Sequence, residues 1–226
     1  MAKKEDFKKQ DENLENVNEA LNTTSQWIED HNKQITWAIA AIAAIVLGVI
    51  AINNYVIAPN RLEASNENAK AAMYFAQGNW DKALNGDEAD CIGFAAIADE
   101  YGHYQQGRLA ALYAGICCYK QGEYADAADY LKRFKAKDLF VDPAASQLLG
   151  DAYVQMDELD KAAKAFEAAA KSGNELIAPM SLKKLGFVYM EQGNNKAANK
   201  AFLSIKSDYP ASQEAQDIDK FIELTK

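Results

Sequence analysis

The sequence repeats itself between Ala71 and Gly186, and this repetition limits its fold more than any other feature. Small residues occupy equivalent positions at Ala71, Gly115, Gly150 and Gly186, and successive positions are 44, 35 and 36 residues apart. Similar phrases follow three of them: QGNWDKAL, QGEYADAA and QGNNKAAN. A period of this length is typical of proteins in which each unit is a pair of helices and neighbouring units stack to form one core.

The clearest unit identifies the type of repeat. It reads Leu182-x2-Leu185-Gly186-x2-Tyr189, followed by Gly193, Ala198-x3-Phe202 and Pro210. This spacing resembles the tetratricopeptide repeat, in which the small residue lets the paired helix approach and a turn glycine ends the first helix with positive φ. The chain is therefore predicted to be all-α. We expect a tetratricopeptide solenoid of about four helix pairs over residues 59–226, with a closing helix from Ala211 to Ile222.

Two positions depart from the pattern. Asp157 stands where the third unit should have its turn glycine, and Asp87 stands where the first unit should have a large apolar residue. The first two units are also separated by about ten additional residues. Apolar residues from Cys91 to Ala98 predict a short second helix within this insertion.

An uncharged apolar run covers residues 35–57, ahead of the repeats. Its length suffices for a helix to cross a hydrocarbon core about 30 Å thick, and Trp37 and Tyr55 lie near its ends, where aromatic rings favour the membrane interface. We predict a single transmembrane helix over residues 34–58. A buried core helix and a cleaved signal peptide are the alternatives. The length of the run and its start behind an acidic tail argue against both.

The tail at residues 1–33 divides into two parts. Residues 3–13 are charged and nearly free of apolar side chains, which favours disorder. Leu14, Val17, Leu21 and Ile28 follow at helical spacing and predict a short amphipathic helix. That helix either lies at the membrane surface or docks with a partner.

Charge and residue content exclude several classes of function. The net charge is −9, with −3 in the tail and −6 after residue 58, which argues against nucleic-acid binding. Cys91, Cys117 and Cys118 match no metal-ligand spacing, and His31 and His103 lie far apart in the sequence. We expect no cofactor and no enzymatic activity. The cysteines do not identify the compartment, and Cys118 is expected to be a small buried apolar residue.

The candidate binding surface is the concave side of the solenoid, formed by the first helix of each pair. The register places mostly apolar residues there, which suits a hydrophobic polypeptide segment. Alternatively, neighbouring helices or the closing helix fill these positions. The candidate residues are Phe75, Leu112, Ile116, Tyr119, Asp151, Val154, Phe187 and Met190.

The whole arrangement resembles the ancillary SecYEG translocon subunit family (YfgM-like). The resemblance rests on the tail, the single span, the four repeats and phrases such as QWIEDHNK, DEYG, YAGICCY and LKKLGFVY. It implies a protein of the bacterial inner membrane with a cytoplasmic N-terminus and a periplasmic solenoid. It also implies the SecYEG translocon and a membrane-anchored periplasmic isomerase-type chaperone as partners, and no catalytic residues.

The leading functional hypothesis is a membrane-anchored protein-interaction module, an accessory of the Sec translocon with a chaperone or scaffold role for emerging polypeptides. The alternatives are an adaptor of another envelope complex and a receptor that faces the cytoplasm. Charge near the span does not decide the orientation, because Lys33 precedes it and Arg61 and Lys70 follow it.

Overall fold

The computed structural model describes residue 27, residues 30–87 and residues 89–226, and its regular secondary structure in these ranges is entirely helical. The chain divides into two compact units, one ending at Pro59 and one covering Asn60–Lys226. Most of the tail, including the predicted amphipathic helix at residues 14–28, lies outside the described residues.

The first unit contains the apolar helix. Helix α1 covers Asn32–Ile52 and continues through a π-helical turn at Asn53–Ile57. None of the described residues of α1 is buried, and large side chains such as Leu47 are about two-thirds exposed. A helix of this length and composition near the N-terminus is compatible with a membrane anchor or a signal sequence.

The second unit is a series of helix pairs. The first pair is α2 (Ala58–Ala76) with a second helix in two pieces, α3 (Trp80–Asn85) and α4 (Gly93–Glu100). Three regular pairs follow: α5 (Gln105–Gln121) with α6 (Tyr124–Arg133), α7 (Val141–Gln155) with α8 (Leu159–Ala170), and α9 (Ile177–Glu191) with α10 (Asn195–Asp208). A 3₁₀-helix at Gln213–Asp217 and helix α11 (Ile218–Leu224) close the series.

The stacking of these helices is that of a tetratricopeptide-type solenoid. The two helices of each regular pair pack together, and the second helix of one pair also packs against the first helix of the next, as α8 does with α9. The first helices of the last two pairs, α7 and α9, also meet. The predicted all-α fold is confirmed: neighbouring units bury a core that no single pair could bury alone.

The small residues of the repeat lie where the paired helices cross. A Cβ atom at Gly150 would lie 2.5 Å from the ring of Phe166, and one at Gly186 would be closer still to the ring of Phe202. Gly115 meets Leu131 in the same way, at 2.7 Å. The predicted role of these glycines is confirmed, because any side chain would overlap the partner helix.

The turn of the third pair uses a non-glycine residue in the left-handed region. Asp157 has φ of 58°, and the equivalent glycines Gly122 and Gly193 have φ of 83° and 70°. Asp157 therefore takes the conformation of the glycine that it replaces, which short polar side chains tolerate better than most.

The first pair departs most from the repeat. The departure lies at Asp87, which stands where the repeat should have a large apolar residue. The carboxylate of Asp87 accepts hydrogen bonds from the backbone N–H groups of Ala89 (3.2 Å), Asp90 (2.8 Å) and Cys91 (3.0 Å), and from the hydroxyl of Tyr74. These bonds organise the loop that interrupts the second helix. The expected short helix is present as α4, although Cys91 precedes it.

The closing helix is shorter than expected. It begins at Ile218 instead of Ala211, after a 3₁₀-helix that Ser212 caps by accepting a hydrogen bond from the N–H of Ala215 at 3.2 Å. Ile218 and Ile222 are buried against Phe202, and the last pair is covered as a solenoid requires.

Candidate interaction groove

The eight candidate residues all lie on the first helices of the pairs, but the structure divides them into two groups. Asp151, Val154 and Phe187 lie together at a groove between α7 and α9. The remaining residues pack against other parts of the solenoid: Phe75, Leu112, Ile116, Tyr119 and Met190.

The packed residues match the alternative in which neighbouring helices fill the predicted surface. The ring of Phe75 contacts Tyr113 edge-on, with centroids 5.0 Å apart, and also meets the rings of Trp80 and Phe94. Leu112 is buried in a cluster with Leu131 and Phe134.

Two others are covered by different neighbours. The Tyr119 ring meets Tyr124 at 5.4 Å, and Met190 packs against the cluster of the closing helix. These positions contribute to the packing of the solenoid, and of the five only Leu112 is buried.

The groove between α7 and α9 is open and has an apolar wall. Its volume is about 390 Å³. Val154 and Phe187 are 37% and 40% exposed there, and Phe166 and Val188 lie behind them. A cavity of this size, with apolar walls and a few polar groups, can receive one or two large apolar side chains.

Phe187 is held in place from behind. Its ring contacts Phe221 of the closing helix at 4.9 Å and Phe202 of α10 at 5.8 Å, both edge-on. Because these aromatic contacts fix one side of the ring, its other side faces the groove in a defined orientation. The closing helix therefore supports the groove instead of filling it.

The groove also contains an ion pair across the two helices. The ammonium of Lys184 lies 2.6 Å from the Asp151 carboxylate, and both side chains are partly buried. The same ammonium lies 5.8 Å from the centroid of the Phe166 ring. The pair links neighbouring repeats and adds a polar strip beside the apolar wall.

The rim of the groove is acidic. Asp157 and Glu191 line it, both are exposed, and neither forms an ion pair with any of the residues that the structure describes. With Lys184 already neutralised by Asp151, the free charge at this site is negative. A cationic group in a bound segment would be favoured here.

Lys184 and Glu191 were missed by the sequence reasoning. Lys184 lies 33 residues after Asp151, close to one repeat length, and opposite charges at that spacing were the available signal. The histidines, cysteines and acids of the described residues form no group suited to a metal ion. Cys91, Cys117 and Cys118 are buried free thiols, and burial raises the pKa of Cys117 and of Cys118 to about 12. Cys118 is thus a buried small residue, as expected.

Comparisons with known proteins agree with this architecture. The tetratricopeptide repeat family matches residues 182–212, which include the greater part of α9 and all of α10. A crystal structure of MamA protein is similar with a TM-score of 0.54, at 20% identity, over 72% of this chain and 85% of that chain. A second MamA crystal structure has a TM-score of 0.49, at 19% identity, over 69% and 91%. No curated protein matches the sequence.

These observations define a class of protein. The helix pairs, the glycine crossings and the match over residues 182–212 give this chain a solenoid of the tetratricopeptide type, a fold class that generally serves as a scaffold for protein interaction. The likeness to MamA concerns the fold alone.

Proposed function

We propose that the protein is a membrane-anchored interaction scaffold that binds apolar polypeptide segments in the groove between α7 and α9. The observation that carries the proposal is the exposure of Val154 and Phe187 over an open apolar wall. An exposed aromatic residue with a fixed orientation is a typical anchor point of protein interfaces.

The charge at the rim of the groove indicates which kind of polypeptide segment would bind. Asp157 and Glu191 supply uncompensated negative charge beside the wall. We expect the preferred segment to place a large apolar side chain against Phe187 and a Lys or Arg next to it. The apolar contact would provide most of the affinity, and the charge would provide orientation and rate of association.

The membrane anchor is the second part of the proposal. The apolar residues of α1 are exposed, and their length fits a single span over residues 34–58 between the tail at 1–33 and the solenoid at 59–226. Anchoring raises the effective concentration of the solenoid near polypeptides at the membrane. A groove of low affinity can therefore bind them there.

The cellular setting follows from the sequence resemblance. It supports an inner-membrane protein with a cytoplasmic N-terminus and a periplasmic solenoid. The resemblance also supports SecYEG and a membrane-anchored isomerase-type chaperone as partners. Purification in mild detergent tests this: recovery of translocon subunits is expected, and their reproducible absence would favour an adaptor of another envelope complex. Proteolysis of spheroplasts should degrade a periplasmic solenoid, and its protection would reveal a receptor with the opposite topology.

The groove itself is tested by crosslinking. A photoreactive residue in place of Phe187 should label a synthetic peptide that carries Leu and Lys, and label less of the matched peptide with Glu in place of Lys. The control position is Leu203 on α10, which is exposed to a similar degree but lies outside the groove. Equal labelling from both positions would overturn the proposal.

A substitution gives a second test that does not depend on photochemistry. Val154→Asp places a charge on the apolar wall and leaves the aromatic cluster around Phe187 intact. We expect roughly tenfold weaker peptide binding with an unchanged melting temperature. Unchanged binding would contradict the groove as the docking site.

A further inference from the structure

The loops that lead into the first helices lie along one edge of the solenoid. The side-chain amide of Asn60 donates to the hydroxyl of Tyr104 at 3.3 Å, which joins the start of α2 to the loop before α5. The side-chain amide of Asn174 donates to the carbonyl of Leu139 at 2.8 Å, which joins the loops before α9 and α7.

Two shallow cavities complete this edge. One joins the start of α5, at Gln105 and Arg108, to the loop before α7. The other joins Gly173 in the loop before α9 to the segment after α10. We call this continuous surface the leading edge; it comprises residues 60–62, 101–109, 134–141, 171–177 and 208–212.

The leading edge exposes large apolar side chains at successive repeats. Leu139, Phe140 and Leu176 are 65%, 63% and 68% exposed, more than the residues of the α7–α9 groove. Other exposed apolar residues continue the row: Leu62, Leu109 and Val141. Exposure of this extent on one edge marks an interaction surface.

These side chains are held in place by hydrogen bonds. The Asp138 carboxylate accepts from the N–H groups of Phe140 (2.8 Å) and Val141 (2.6 Å), and these bonds lower the pKa of Asp138, so that it stays ionised. The buried Asn174 accepts from the N–H of Leu176 at 2.9 Å and reaches Leu139 with its amide. The loops therefore present their apolar tips in a fixed conformation.

Cations accompany the apolar tips. Lys135, Lys137 and Arg108 line the cavity beside Leu139, and none of the three pairs with a carboxylate among the described residues. Asp138, their acidic neighbour, is bound to backbone N–H groups. Glu175 and Asp208 are acidic exceptions further along, and the basic stretch stands out in a unit whose net charge is −6.

The opposite edge, made by the turns within each pair, differs in both respects. It contains residues 77–79, 122–123, 156–158 and 192–194, and no large apolar side chain is exposed in these fully described turns. It carries the acids Glu123, Asp157 and Glu158. Exposed large apolar side chains are therefore concentrated on the leading edge relative to these turns.

We propose that the leading edge rests on a bilayer that contains anionic lipid. Leu139, Phe140 and Leu176 would enter the headgroup layer, and Lys135, Lys137 and Arg108 would meet lipid phosphates. Apolar tips flanked by cations are typical of interfacial membrane contacts, and Lys or Arg side chains near an anionic lipid surface strengthen such contacts.

Chain connectivity favours lipid over a protein partner. Asn60, which belongs to the leading edge, follows the proposed span by only two residues in the sequence. The proposal rests on the anchor proposed above. It adds that the leading edge of the solenoid faces lipid. The opposite edge and the α7–α9 groove then remain accessible to polypeptides.

The test uses the full chain in nanodiscs of phosphatidylglycerol and phosphatidylcholine with a spin-labelled lipid. A fluorophore is attached at Phe140→Cys, at Asn195→Cys directly after the opposite edge, or at Ile45→Cys in the span. The three native thiols are buried, and the unsubstituted chain gives the background labelling. Quenching at position 140 should exceed that at position 195 by roughly twofold or more, and fall in phosphatidylcholine alone or with Lys135→Glu/Lys137→Glu.

The three positions separate the possible failures. Quenching at position 45 with equal, weak quenching at 140 and 195 would overturn the leading-edge proposal and leave the anchor intact. Absence of quenching at position 45 would overturn the anchor and the leading-edge proposal with it. A fluorophore at 140 that lipid does not quench but an added protein shields would overturn the lipid contact in favour of protein docking.

Discussion

The two ends of the solenoid are held together by different forces. In the last two pairs, Gly150 and Gly186 let α7 and α9 lie directly on the rings of Phe166 and Phe202. In the first pair, the second helix is broken, and the carboxylate of Asp87 fixes the break. Close packing at a glycine crossing therefore holds the second helix of the last pairs, whereas in the first pair hydrogen bonds fix the loop that interrupts the second helix.

The hydrogen bonds of the first pair shift the pKa values of two charged side chains. Hydrogen bonds from the backbone at Asp90, and then from Tyr74, hold the pKa of Asp87 well below its usual range. Hydrogen bonds to Glu67 and Asp90 raise the pKa of Lys70. Asp87 and Lys70 are therefore charged at neutral pH, and their bonds act beside the aromatic cluster of this pair.

The largest effect should come from filling a glycine crossing. Gly186→Leu would force the ring of Phe202 out of its position and separate α9 from α10, with a cost of about 3 kcal/mol or more. Urea unfolding measures the change. Ala168→Leu, at an exposed position of α8, is the matched control and should change stability by less than about 0.5 kcal/mol.

A compensating substitution sharpens this test. Gly115 faces Leu131 instead of an aromatic ring, so an aliphatic partner is compatible with the crossing. Gly186→Ala combined with Phe202→Leu should therefore be more stable than the sum of the two single changes. Strict additivity would mean that the crossing is not the source of the effect.

The second prediction concerns the polar end. Asp87→Ala removes the acceptor for three backbone N–H groups and for the Tyr74 hydroxyl, and these donors would lose their partner. We expect a lower melting temperature and faster hydrogen exchange in residues 89–100, with α9 and α10 unaffected. Asp87→Asn keeps an acceptor oxygen and should be milder. Equal acceleration along the whole solenoid would break the contrast between its ends.

The same contrast explains what the sequence predicts and what it does not. The glycine crossings, Asp157 and the positions of Val154 and Phe187 follow from the repeat register, because a fixed spacing on a helix determines a face. The support of Phe187 by Phe221 does not follow, since it depends on how the closing segment folds back. Asp87 was recognisable only as a misfit, because its hydrogen bonds form only after the loop has folded.

The third prediction uses pH at the closing end. Hydrogen bonds from Lys183 and then Lys220 lower the pKa of Asp217 to about 2, below its value in an unfolded chain near 4. A group with a depressed folded pKa stabilises the fold above its unfolded pKa, and this contribution is lost as pH falls from about 4 towards 2.

Melting curves at successive pH values measure that loss. Asp217→Asn should reduce the fall in melting temperature at acidic pH that comes from the ion pairs of the closing end. Asp87→Ala should reduce the separate contribution that comes from the first pair. If neither substitution alters the pH dependence, the ion pairs of Asp217 contribute nothing to the folded state.

The smallest effect is expected at the turn of the third pair. Asp157 holds φ of 58°, where an L-residue is strained and glycine is not. Asp157→Gly should raise stability by about 0.5 kcal/mol, because relief of strain exceeds the greater chain entropy that glycine gives the unfolded state. Gly193→Asp places the same residue in the equivalent turn and should lower stability by a similar amount. Opposite shifts in urea midpoint would show that the two turns are equivalent, whereas a loss of stability in both variants would show that the Asp157 side chain stabilises its own turn.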